Sequence, residues 1–167
     1  DKLEGRGGVD TLIGGLGADT IQGELGNDSI FGGLDADNID GGDGDDNIYG
    51  EGGADMAAGG AGDDTIHTLV VGEDTIDGGT GIDTASFAMA TAALVIDVNN
   101  AAHKLSNIEN IVSGSGSDSV TGSAADNKLE GGAGNDLLDG NAGNDILLGG
   151  DGDDGLVGGA GADNFSG

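Results

Sequence analysis

The sequence contains no cysteine, proline or tryptophan, its aromatic content is only 2%, and Lys and Arg together number four. Without cysteine there is no disulfide and no thiolate metal site, so a chain exported to an oxidising medium needs another stabiliser. The absence of proline excludes a collagen-type triple helix, which combines Pro with a three-residue Gly period. Four basic side chains against 32 acidic ones give a formal charge of −28, which argues against nucleic acid as a partner, because phosphate is met by Lys and Arg. No apolar run approaches about 18 residues and no basic-then-apolar leader opens the sequence, so neither a membrane span nor a Sec-type signal is expected.

What is abundant is glycine, 39 of 167 residues. High charge and few aromatics are the composition of disorder, but disorder predicts no strict period, and here there is one. From Gly5 the chain reads in nines: GRGGVDTLI, GGLGADTIQ, GELGNDSIF, GGLDADNID, GGDGDDNIY, GEGGADMAA and GGAGDDTIH, ending at His67. After one extra residue, Thr68, come LVVGEDTID and GGTGIDTAS, ending at Ser86. A second array begins at Ser113 with SGSGSDSVT and GSAADNKLE and continues through GGAGNDLLD, GNAGNDILL, GGDGDDGLV and GGAGADNFS. Asp occupies the sixth position in fourteen of these fifteen units, Asn127 being the exception, a regularity that drift in Gly-rich sequence does not produce.

Positions one and four are each Gly in thirteen of fifteen units, whereas position two accepts Arg6, Glu24, Glu51 and Asn141. Positions one and four are therefore expected to be the backbone-critical sites, where φ is positive or another group approaches closely. The acidic occupant of position four, Asp35, is a residue type that tolerates left-handed geometry. After the six-residue loop, a triplet with one central apolar residue (Leu12, Ile21, Ile30, Ile39, Ile48, Ile66, then Leu129, Leu138, Leu147, Leu156 and Phe165) predicts a very short strand with one inward side chain.

The pattern Gly-Gly-x-Gly-x-Asp-x-U-x, with U a large aliphatic, resembles the RTX family of calcium-binding nonapeptide repeats over roughly residues 5–86 and 113–166. The resemblance implies an all-β fold, a parallel β-roll with two nonapeptides per turn, so that repeats n and n+2 stack with strands about 4.8 Å apart. It also implies Ca2+ as cofactor, each ion lying between two stacked loops and taking one Asp from each together with main-chain carbonyls of positions one to four. Such a site offers only hard oxygens, as Ca2+ requires. On the resemblance, the carboxylate ligands are Asp10, Asp19, Asp28, Asp37, Asp46, Asp55, Asp64, Asp74, Asp83, Asp118, Asp136, Asp145, Asp154 and Asp163. The carbonyl ligands in the first array are those of Gly5, Arg6, Gly7, Gly8, Gly14, Gly15, Leu16, Gly17, Gly23, Glu24, Leu25, Gly26, Gly32, Gly33, Leu34, Asp35, Gly41, Gly42, Asp43, Gly44, Gly50, Glu51, Gly52, Gly53, Gly59, Gly60, Ala61, Gly62, Gly78, Gly79, Thr80 and Gly81. In the second they are Gly131, Gly132, Ala133, Gly134, Gly140, Asn141, Ala142, Gly143, Gly149, Gly150, Asp151, Gly152, Gly158, Gly159, Ala160 and Gly161. About eight to ten ions are expected.

Three regions follow: a first β-roll array at 1–86, a divergent connector at 87–112, and a second array at 113–167. The connector carries an apolar run, Ala93 to Val98, that reads as a longer strand; extending the second array's phase backwards puts Glu109 at position six and Ile111 at the aliphatic position, so the roll is expected to continue with a wider loop. Asp1-Lys2-Leu3-Glu4 fits positions six to nine of a preceding repeat and Gly167 opens a following one, as expected of a piece of a longer array.

No catalytic constellation competes with this reading, and the chain is expected to be no enzyme in itself. Asp45-Asp46, Asp63-Asp64 and Asp153-Asp154 resemble a glycosidase couple, but they fall at positions five and six of the repeat. His67 and His103 are isolated and read as surface residues; Ser86 and Ser113 lack a nucleophile-elbow context; no Gly-rich loop ends in the Lys of a phosphate-binding loop. So acidic a chain is expected to be largely unfolded without divalent ions and to fold on binding them. The resemblance adds secretion or cell-surface display, by a Gram-negative bacterium through a type I channel. It leaves two functional classes: a folding, secretion and stability module of a larger secreted protein, or the rod of a surface adhesin or surface-layer protein. Besides Ca2+, the partners expected are neighbouring domains of a longer chain and further copies in self-assembly.

Overall fold

Along the chain the x-U-x triplets form strands whose central apolar side chain points inward, because alternation along an extended chain sends successive side chains to opposite faces; in the last, Asn164–Ser166, the expected inward residue Phe165 is 55% exposed. The computed structural model describes residues 1–167. In chain order the strands are β1 (Lys2–Glu4), β2 (Thr11–Leu16), β3 (Thr20–Leu25), β4 (Ser29–Leu34), β5 (Asn38–Asp43), β6 (Asn47–Gly52), β7 (Met56–Ala61), β8 (Thr65–His67), β9 (Thr75–Thr80) and β10 (Thr84–Ser86). They continue with β11 (Val95–Asp97), β12 (Leu105–Ser106), β13 (Asn110–Val112), β14 (Ser119–Thr121), β15 (Lys128–Ala133), β16 (Leu137–Asp139), β17 (Ile146–Asp151), β18 (Gly155–Val157) and β19 (Asn164–Ser166). One single-turn 3-10 helix lies at Ala101–His103, and no helix is long and apolar enough to cross a membrane.

The chain divides into two compact units. One comprises Asp1–Thr68, Gly72–Ala85 and Lys104–Ile108; the other comprises Leu69–Val71, Ser86–His103 and Glu109–Gly167. In the first unit the strands run β1-β3-β5-β7-β9-β12 on one face and β2-β4-β6-β8-β10 on the other. In the second they run β11-β14-β16-β18 and β13-β15-β17-β19. Neighbours are parallel, and consecutive strands alternate between faces, so two nonapeptides make one turn. Each unit is a parallel β-roll.

Register follows the inward aliphatic. Leu12 pairs with Ile30 and Ile30 with Ile48 on one face; Ile21 pairs with Ile39 on the other. Ile21, Ile30, Ile39, Ile48, Ile66 and Ile76 fill the first unit's core, and Ile96, Ile111, Val120, Leu129, Leu138 and Leu147 the second's, all at 2% exposure or less. A one-residue slip would turn this whole set to solvent, which is why the period is held so strictly.

Many strands are longer than the three residues the pattern suggests. β2 spans six residues, and its pairing with β4 skips position one: Ile13 meets Phe31, then Gly15 meets Gly33. Backbone pairing thus resumes beyond the corner and reaches into the loop, something side-chain alternation does not encode.

The connector departs from the expectation at one point. The run Ala93–Val98 gives only the three-residue β11, in which Ile96 is buried against Val120 while Val95 is 67% exposed. Ile111 pairs with Leu129, and Leu105 of β12 pairs with Ile76 of β9. The extra residue Thr68 is absorbed between β8 and β9, where the stacking offset lengthens from 18 to 19 residues. On the outer face of the first unit, the ninth-position side chains Phe31, Tyr49 and His67 stack with ring centroids 4.9 and 4.1 Å apart and planes within 6° and 2° of parallel. His67 is half-buried there with its Nε2 2.8 Å from Asn47 Oδ1, and burial lowers its pKa.

Candidate metal centres

The sixth-position aspartates stack in columns, and their two carboxylate oxygens are treated differently. Oδ1 accepts the main-chain N–H of the Asp one turn earlier: Asp19 to Asp37 and Asp46 to Asp64 at 2.8 Å, Asp28 to Asp46 at 2.7 Å, Asp37 to Asp55 at 2.9 Å. The second unit repeats this from Asp118 to Asp136 at 2.8 Å, Asp136 to Asp154 at 2.9 Å and Asp145 to Asp163 at 3.0 Å. Oδ2 is buried and has no hydrogen-bond partner in Asp10, Asp19, Asp28, Asp37, Asp46, Asp55, Asp64, Asp136, Asp145 and Asp154. A buried, unpartnered carboxylate oxygen is costly, and native proteins rarely leave one without an ion or donor.

The surroundings of Oδ2 are built by position one. A methyl group placed on Gly32 would lie 2.6 Å from Asp37 Oδ2 and 2.9 Å from the carbonyl oxygen of Gly50, its counterpart one turn on. Gly14, Gly23, Gly41 and Gly59 have the same two neighbours, an Asp Oδ2 and the next turn's carbonyl. Glycine at position one therefore keeps open a cradle into which a carboxylate oxygen and a main-chain oxygen converge, and its φ is not positive.

Position two, in contrast, is left-handed. Gly33 has φ 114° and the Glu51 it stacks upon has φ 69°. Arg6, Glu24 and Asn141 share the conformation at 75°, 72° and 70°. The expectation that positions one and four alone constrain the backbone is thus corrected: four non-Gly residues occupy a left-handed site at position two, and their presence had masked it. At position four the expectation matches, with Asp35 at φ 77° and Gly44 at 131°.

Burial without a counter-charge disturbs the carboxyls. It pushes Asp55 and Asp64 up to about 6, against the lowering effect of the N–H groups of Asp37 and Asp46, with repulsion from the stacked Asp74 and Asp83 added. Asp37, Asp46, Asp136 and Asp145 are raised by the same cause. The neighbouring fifth-position acids lie in another environment: Asp45 and Asp63 are exposed, and Asp45 Oδ1 accepts the N–H of Asp63 at 2.9 Å.

Three loops differ. Ser113 replaces glycine at position one, and its hydroxyl lies between Asp118 Oδ2, to which it donates, and the carbonyl oxygen of Gly131 at 2.7 Å. Thr68, the extra residue, donates from Oγ1 to Asp74 Oδ2 at 2.6 Å. In the loop of Asn127 the carboxylate is gone: Asn127 Oδ1 accepts the N–H of Ser123 at 2.6 Å and its Nδ2 donates to the Glu109 carbonyl at 2.9 Å. The repeat pattern does not single these groups out, although Ser113 where glycine prevails and Asn127 where Asp prevails are the signals it carries.

No group of three or more His, Cys, Asp or Glu side chains is placed to hold a metal. Any ion must therefore be held by carbonyls with one or two carboxylates, and the unpartnered Oδ2 atoms and open cradles fit a hard, oxygen-seeking cation. The model of the RTX calcium-binding nonapeptide repeat matches the chain over residues 4–39, 32–66, 71–85, 106–138 and 130–165. No curated protein shows a significant match.

Proposed function

Since the chain belongs to the RTX calcium-binding nonapeptide repeat family, we propose that it is a module that folds on taking up Ca2+ outside the cell and serves the folding, secretion and stability of a larger secreted protein. The observation that carries this reading is the column of buried Asp Oδ2 atoms with no partner. The residues that hold the ion are the sixth-position aspartates with that oxygen, among them Asp19, Asp28, Asp37, Asp46, Asp55, Asp64, Asp136, Asp145 and Asp154, together with carbonyls of loop positions one to four. Bound Ca2+ supplies positive charge to oxygens that nothing else in the chain satisfies.

The chain's own contribution is to align those oxygens. The Oδ1 contacts fix each carboxylate against the preceding turn, and glycine at position one leaves Oδ2 uncovered. In submicromolar Ca2+ the carboxylates repel and the roll is unstable; in a millimolar medium, the range of extracellular modules, it forms. A Ca2+ titration of metal-free protein followed by circular dichroism tests this: β signal rises with Ca2+, and a signal indifferent to Ca2+ overturns it.

A surface rod is the second reading. It is favoured by the unbroken 18-residue stacking from Asp10 through Asp64, since a ladder with an ion at each step resists bending. Repeats continuing beyond residues 1 and 167 favour the rod; a catalytic motif there favours the module.

A further inference from the structure

Each sixth-position Asp whose Oδ2 is buried without a partner faces a glycine at position one. Where a hydroxyl reaches it, the carboxylate oxygen has its donor: the extra residue Thr68 on Asp74, and Ser113, at position one, on Asp118, whose Oδ2 also accepts the N–H of Gly114 at 3.2 Å. The loop of Asn127 goes further, since a neutral amide replaces the acid. Its position-one carbonyl, Gly122 O, accepts amide hydrogens from both Asn99 and Asn141 at 2.7 Å. In the open loops Oδ2 converges with the position-one carbonyl of the next turn; in these three a hydroxyl bonds Asp74 Oδ2 or Asp118 Oδ2, or the amide of Asn127 replaces the carboxylate.

We propose that the loops Thr68–Asp74, Ser113–Asp118 and Gly122–Asn127 bind no Ca2+ because hydroxyl and amide groups of the chain close them, so that the run of ion-binding repeats is interrupted by loops that need no metal. The inference rests on the calcium-binding reading above and refines it. A hydroxyl hydrogen directed at Oδ2 presents positive charge where the cation would approach, and the Ser113 side chain fills the space between Asp118 Oδ2 and Gly131 O that glycine leaves empty elsewhere. Asn127 carries no charge to attract the ion, and its loop gives it protein partners at both ends of the side chain. Asp74 and Asp118, which the repeat pattern marks as ligands, are structural acceptors in this assignment.

Ion counting on the full chain at saturating Ca2+, by equilibrium dialysis and calorimetric titration, tests it. Asp118→Asn and Asp74→Asn leave the number of bound ions unchanged, whereas Asp46→Asn lowers it. Ser113→Gly, which restores the repeat, raises it by about one. Asp118→Asn or Asp74→Asn losing ions as Asp46→Asn does, or Ser113→Gly folding normally without gaining one, overturns the inference while leaving the calcium-binding reading intact. A parent chain that binds no Ca2+ overturns both.

Discussion

The main-chain N–H of Asp46 donates to Oδ1 of Asp64, 18 residues on, at 2.8 Å. Each of these carboxylates therefore has one oxygen committed to holding turns together and one left over. The two duties are separable by substitution, because an amide retains an acceptor but loses the charge. Asp46→Asn is expected to keep the Ca2+-saturated β signal while shifting the titration midpoint to higher Ca2+ by about tenfold, roughly 1.4 kcal/mol. Circular dichroism titration of both proteins checks this, and an unchanged midpoint refutes it.

Positions one and two predict opposite responses to adding or removing a side chain. Gly32→Ala places a methyl 2.6 Å from Asp37 Oδ2 and 2.9 Å from Gly50 O, and should cost more than about 2 kcal/mol. Glu51→Gly relieves a left-handed residue at φ 69°. Such strain costs roughly 1–2 kcal/mol for a residue with a Cβ, and the greater freedom of glycine when unfolded returns about half of the gain. Urea unfolding at saturating Ca2+ should show Gly32→Ala less stable and Glu51→Gly more stable by about 0.5–1 kcal/mol.

The metal-free roll is expected to prefer acid. Unfolded aspartates titrate near 3.9, while Asp55 and Asp64 in the fold hold their protons up to about 6. Between those values the folded chain binds more protons, so its stability is greatest below about 4 and is lost as the pH rises through about 6. Dialysed, metal-free protein should show more β signal at about pH 5 than at about pH 7.5, with Ca2+ affinity changing in the opposite sense. More β signal at the higher pH contradicts the assignment.

The inward column Ile39, Ala57, Ile76 has a small residue at its middle, beside a cleft lined by Met56, Thr75 and Ser106. Ala57→Ile restores the aliphatic found at most other turns and should add about 1–2 kcal/mol. Thermal unfolding at fixed Ca2+ checks it, and a lowered midpoint would show that the space is not accessible to the larger side chain.

The parts of this fold that depend on side chains were legible in the sequence. Ile30 and Ile48 announce the inward column and Asp28 and Asp46 the stacked acids, because each position repeats one chemical demand at every turn. What depends on the backbone was hidden. The six-residue length of β2 arises from peptide groups pairing beyond the corner at Gly14, and no side chain reports that. The left-handed state of position two was concealed by Glu24 and Glu51, whose presence suggested an unconstrained site. The hydroxyls of Thr68 and Ser113 were visible as letters, but their meaning appears only once Asp74 Oδ2 and Asp118 Oδ2 are seen to end on them.

The carboxylate ladder also has a sense of direction. In every joint the earlier turn gives the N–H and the later turn gives Oδ1, as from Asp28 to Asp46 and from Asp136 to Asp154. At position six a turn is thus chemically two-faced, acidic oxygens toward the start of the chain and amide hydrogens toward its end, while the exposed ladder at position five runs the other way, Asp45 Oδ1 accepting from Asp63. Two stretches of such repeats can be spliced or stacked head to tail with every joint complete, whereas head to head they would oppose carboxylate to carboxylate. Grafts that lengthen or shorten the array therefore succeed only in whole turns laid in the same sense.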